Sequence, residues 1–95
     1  MMSLQEIRDD VRKVDEELLG LLAKRMELVG LILEEKKKAH MFINDDQQNE
    51  VVIKRAMEKA SMLNLDPGAV REIFKIIIRQ SIDWQHELSG EGNLP

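Results

Sequence analysis

From Leu4 to Lys38 the chain runs 35 residues without a proline, and its apolar residues recur in steps of three and four: Leu4, Ile7, Val11, Val14, Leu18, Leu21, then Leu28 and Ile32. That is the period of a helix-packing seam. Ser3-Leu4-Gln5-Glu6 has the form of a capping box, with a hydroxyl N-cap and a glutamate three residues on. The segment therefore reads as one helix. At ~1.5 Å per residue it is roughly 50 Å long. A compact 95-residue domain is only about 32 Å across. Such a helix overhangs its own domain and exposes its seam to water unless a partner chain covers it, so a symmetric homodimer is expected.

Two further helices complete an all-α chain of three helices. Asn44-Asp45-Asp46 offers short acids and an amide to cap a second helix, which ends near Met62, with Val52, Ala56 and Leu63 marking its buried side. Asp66 as N-cap, Pro67 in the first turn and Leu65 poised to staple against Val70 open the third. Its seam reads Val70, Phe74, Ile77, Ser81, Trp84, Leu88, and residues 89–95 read as a frayed tail of a single domain spanning 1–95.

Composition narrows the function classes. Strand-favouring residues are sparse in most windows, while Leu, Met, Glu, Lys and Ala abound, which supports helices. There is no cysteine, hence no disulfide framework or thiolate chemistry. No apolar run reaches the ~18 residues of a membrane span, and the net charge of −4 argues against a nucleic-acid partner. A soluble, cytoplasmic protein is expected. His40 and His86 have no companions at metal-ligand spacing, and no glycine-rich phosphate loop occurs, so no metal or cofactor is expected.

Polar residues interrupt the seams where apolar ones belong. The step after Leu21 lands on Arg25, and an inward cation needs a partner. A structural ion pair, or a stem that reaches out to water, would explain it without any ligand. Lys36 lies eleven residues on, three turns, and leaves the helix in nearly the same direction ~16 Å along the axis. Lys36-Lys37-Lys38 is also what a solvated helix end looks like. Arg8 is about 100° around and roughly 25 Å from Arg25, so only a second chain could bring the two together. Otherwise it pairs with a nearby acid such as Glu6 or Asp15. On the third helix Ser81 and Gln85 share a side one turn apart. A helical Ser can satisfy itself on the carbonyl four residues back, whereas a buried Gln needs partners. The residues alone imply a helical dimer with inward cations, suited to a small polycarboxylate.

The stretch IRDDVRKVDEELLGLLAKRMEL, a lysine eleven residues after the arginine, an acid at the second helix start and RQSIDWQ together resemble the all-α chorismate mutase family. The resemblance runs without a gap from about Leu4 to Leu88. It implies an intertwined homodimer of three-helix chains that converts chorismate to prephenate without a cofactor. It further implies that Arg25, and Arg8 from the other chain, hold the two substrate carboxylates. Lys36 and Gln85 would donate to the ether oxygen of the breaking C–O bond, Asp45 would serve the ring-hydroxyl side, and Ser81 would lie beside a carboxylate. The rearrangement is intramolecular, which accounts for the lack of a general base or nucleophile. The departure is Gln48-Asn49, which faces the ring where the family has Arg-Glu. Asn49 keeps an acceptor oxygen without the charge, and Glu50 is about 100° around the helix from it. Two alternatives stay open: an isochorismate-pyruvate lyase of the same fold, and a non-catalytic dimerisation or regulatory module.

Overall fold

The computed structural model describes residues 1–90. Among them are three helices and no strand: α1 (Leu4–Lys38), α2 (Asp46–Met62) and α3 (Pro67–Ser89). Each start is capped as the sequence indicates. Ser3 accepts from the Glu6 amide and Glu6 reaches back to the Ser3 amide, closing the box. Asp45 accepts from the Gln48 amide, and Asp66, ahead of Pro67, from the Gly68 amide.

The first two ends share a device that sequence reading missed. After α1, His40 adopts φ 55°, its amide donates to the Lys37 carbonyl, and the Met41 amide donates to the Lys36 carbonyl. After α2, Asn64 at φ 60° does the same with Ser61, and Leu65 with Ala60. Both are left-handed Schellman closures. Asn tolerates this conformation readily, whereas His is a less usual occupant. The third helix runs through Ser89 and is closed by Gly90 at φ 85°. Ser89 is thus the last residue of α3 and Gly90 its cap, and the rest of the expected tail, 91–95, lies outside the described residues.

Helix α3 packs against both α2 and the C-terminal half of α1, while α1 and α2 do not pack on each other. The core is small: Val29 and Leu33 from α1, Ile53 and Ala60 from α2, Ile78 from α3, joined by buried Ser81 and Gln85. Three seam expectations change accordingly. On α1 the expected seam is not the intrachain core; Leu4, Ile7, Val11, Val14, Leu18 and Leu21 are 47–65% exposed. On α2 the buried side is Ile53 and Ala60, with Val52 and Ala56 half-buried and Leu63 exposed. On α3 the buried line passes through Ile78, Ser81 and Gln85, leaving Trp84 and Leu88 toward solvent. Leu65 is likewise exposed.

The overhang expected from helix length is present. The chain measures 57 × 26 × 24 Å with a radius of gyration of 16.8 Å, against ~12 Å for a compact chain of this size. The apolar stripe of α1 from Leu4 to Leu21 faces outward.

Candidate active site

A cavity of about 140 Å³ opens where the C-terminal half of α1, the start of α2 and the C-terminal half of α3 converge. Its polar wall carries Arg25, Lys36, Asp45, Gln48, Asn49, Ser81 and Gln85. Its apolar wall is made mainly by Val29, Ile32, Val52, Ile78 and Ile82. Seven of the eight residues singled out from sequence therefore meet in one place. Arg8 does not. It lies roughly 25 Å from Arg25 along α1, exposed, and among the described residues it has no ion pair. Its neighbours are otherwise engaged: Glu6 closes the capping box, and Asp9 pairs with Arg12.

Arg25 sits at one end. Its Nη1 donates to the Ser81 hydroxyl oxygen at 2.6 Å, and that hydroxyl donates in turn to the Ile77 carbonyl at 2.9 Å. Ser81 is thus both the self-satisfied helical serine and a partner for the arginine. It holds the guanidinium in place without neutralising it. The structural ion pair considered for Arg25 is absent among the described residues. Burial draws the Arg25 pKa below its ordinary value, and the positive charge of Arg55 adds to the effect.

Lys36 sits at the other end, half-buried, while Lys37 and Lys38 face solvent and Lys38 pairs with Glu35. The lysine run is split by the helix surface: two of its members are the solvated end, and one turns inward. Lys36 Nζ donates to the Ile43 carbonyl and to Gln85 Oε1, the latter at 3.4 Å. Burial holds the ammonium below the ordinary lysine range, and Asp45 partly offsets this. Gln85, buried, directs one Nε2 proton to the Val29 carbonyl at 3.2 Å, which fixes the amide plane and leaves a second proton on the same nitrogen.

At the start of α2, Asn49 Nδ2 donates to Asn44 Oδ1 at 2.9 Å, and Asn44 Nδ2 donates to Asp46. Among the described residues the Asn49 side-chain oxygen has no protein donor, so it remains an acceptor on the cavity wall. Glu50 is exposed and is not part of the wall. Sequence reasoning missed the carbonyls of Ile43 and Val29, for which no sequence signal exists, because every residue carries one. It also missed Arg55. Its signal was available: it follows Gln48 by seven residues, two helical turns.

The sequence model of the chorismate mutase type II family matches residues 7–86. The chain belongs to that family. A protein of Methanocaldococcus jannaschii named chorismate mutase is 28% identical over 88 residues, covering 93% of this chain and 89% of that one. A bifunctional chorismate mutase/prephenate dehydratase of Buchnera aphidicola subsp. Schizaphis graminum is 28% identical over 85 residues. The T-protein of Enterobacter agglomerans is 30% identical over 84 residues. These two matches cover 90% and 88% of this chain and 22% of each relative's length. The type II family is helical, in keeping with the three helices seen here. No helix among the described residues is long and apolar enough to cross a membrane.

Proposed function

We propose that the chain is a cytoplasmic chorismate mutase, active as an intertwined homodimer in aromatic amino-acid biosynthesis. The observation that carries this reading is that Arg25 and Lys36 enter one cavity from its two ends, and neither is ion-paired with a carboxylate among the described residues. A buried cation without a counter-ion is costly, and a dicarboxylate supplies what is missing. Arg25, steadied by Ser81, takes one carboxylate. The other is taken by Arg8 of a second copy laid along the exposed stripe of α1.

Claisen rearrangement breaks the C–O bond of the enolpyruvyl ether and forms a C–C bond to the ring, with no proton transferred. The protein's contribution is then twofold. Clamping both carboxylates folds the enolpyruvyl arm over the ring, so orientation is settled before reaction. Lys36 and the free Nε2 proton of Gln85 meet the negative charge that builds on the ether oxygen, and the Ile43 and Val29 carbonyls hold both donors ready. Asp45 and the Asn49 oxygen face the ring hydroxyl.

A mixing experiment tests chemistry and assembly together. Arg8→Ala and Arg25→Ala chains should each be nearly inactive on chorismate. Co-refolded in equal amounts they should recover about a quarter of wild-type activity, because half of randomly paired dimers are mixed and each mixed dimer holds one intact site. No recovery from two folded, dimeric variants refutes the shared site. No prephenate from the wild type refutes the mutase reading. The neutral Gln48-Asn49 wall also admits the lyase reading, which formation of salicylate and pyruvate from isochorismate would select.

A further inference from the structure

Arg55 lies one turn beyond Val52 and two turns beyond Gln48, so the three leave α2 on one face. Val52 is a wall of the Arg25 cavity and also of an adjoining recess in the α2–α3 groove, whose lining includes Arg55, Ala56 and Phe74. Arg55 is exposed, and among the described residues no carboxylate lies within ion-pairing distance of it. Its charge nonetheless reaches Arg25, whose pKa it helps to lower. Ser81, the one side chain bonded to Arg25, is neutral, and so is Gln48. The charges of the two arginines thus act on each other while, among the described residues, neither has a carboxylate at ion-pairing distance, an arrangement that is unfavourable until an anion arrives.

We propose that Arg55 is a substrate-binding residue, supplying from the α2 groove a further positive charge to the carboxylate held by Arg25. The identity of that carboxylate rests on the mutase reading; the preference for an anion rests on the two arginines. Arg55 acts on binding rather than on the bond-breaking step, because Lys36 and Gln85 serve the opposite end of the cavity.

The test is titration of the full chain with a bicyclic dicarboxylate mimic of the transition state, alongside chorismate kinetics and thermal melts. Arg55→Gln should weaken mimic binding and raise KM about 3–10-fold at low salt, as suits an exposed charge, with kcat little changed. Salt at ~1 M should erase most of the difference, and Arg55→Lys should restore most of the affinity. The melt of the free variant should be unchanged or higher, since a repulsion has been removed. Unchanged affinity at low salt overturns the proposal. So does a loss that lysine fails to rescue and that comes with a lower melt, which marks a structural residue. A wild type that binds the mimic but leaves chorismate intact sinks the mutase reading, and the Arg55 comparison is then decided on mimic binding alone.

Discussion

Replacing Ser81 by Ala isolates the support given to Arg25. Ser81 is 9% exposed, and its oxygen makes two bonds: it donates to the Ile77 carbonyl and accepts from Arg25. Losing the first costs little, because that carbonyl keeps its helical amide partner and alanine is the better helix former by ~0.5 kcal/mol. Losing the second removes a hydrogen bond to a charged group, ~1.5–3 kcal/mol for a buried pair. Arg25 is only half-buried, so water replaces part of it and about 1 kcal/mol remains. Net stability then falls by roughly 0.5 kcal/mol, which moves the melt of a domain this size by no more than ~4 °C. Binding suffers more. A guanidinium freed to rotate must be immobilised by the substrate, at ~0.5–1.5 kcal/mol for a flexible side chain. Added to the lost alignment, that gives a KM about 5–10-fold higher. The kcat should fall less, because the donors to the ether oxygen, Lys36 and Gln85, are held by the Ile43 and Val29 carbonyls and not by Ser81. Steady-state loss of chorismate and a circular-dichroism melt supply both readings. An unchanged KM refutes the positioning argument, and a melt lowered by more than ~8 °C shows that the hydroxyl holds the fold instead.

The Lys36 pKa predicts opposite pH responses for stability and turnover. Burial lowers the folded value below the unfolded one, so folding is disfavoured while both states are charged, and that penalty fades as pH rises through the folded pKa toward the ordinary lysine value. Turnover should fall across the same window as the positive charge is lost, giving an alkaline limb below the ordinary lysine range that Lys36→Arg moves upward; a profile flat through that range refutes the role. Asn49→Glu should raise kcat/KM several-fold by giving the ring hydroxyl a second charged acceptor beside Asp45. It breaks the bond to Asn44, worth at most about 1 kcal/mol at this partly exposed position, and a variant no better than wild type shows that the start of α2 is organised differently.

The helix bounds were legible because each start has a chemical signature: a hydroxyl with its glutamate, an aspartate, an aspartate before proline. The ends were less so. His40 closes α1 in a conformation for which a reader looks for glycine, and Asn64 closes α2 without one. Periodicity located apolar faces but not what covers them. On α1 the stripe from Leu4 to Leu21 is regular and faces outward, while the core is met by Val29 and Leu33 one position beyond Leu28 and Ile32. On α3 the apolar period runs on to Trp84 and Leu88, which face solvent. The helix buries Gln85 because its nitrogen reaches the Val29 carbonyl and its oxygen accepts from Lys36. The site was more legible than the packing, since Arg25, Lys36, Ser81 and Gln85 stand out as polar residues among apolar ones. Arg8 stands apart from them, exposed and outside the cavity.

Asp45 explains why the cavity selects for charge rather than shape alone. It is the one acid on the wall, and it is committed to the fold: its carboxylate caps α2 through the Gln48 amide while easing the burial of Lys36. A single acid against Arg25 and Lys36 leaves the empty cavity with one uncompensated positive charge, and Arg55 adds to the field from outside. On the proposed reading, a monocarboxylate that settles on Arg25 neutralises that end yet gives nothing to Lys36, whereas a dicarboxylate with an ether oxygen between its acids serves both. Had Asn49 been acidic, the wall of one chain would already be neutral. With an amide there, attraction for a dianion is stronger and the grip on the ring hydroxyl weaker. The start of α2 therefore trades hydroxyl recognition for anion capture, so an acid at Asn49 should raise kcat and KM together, with the rise in kcat the larger.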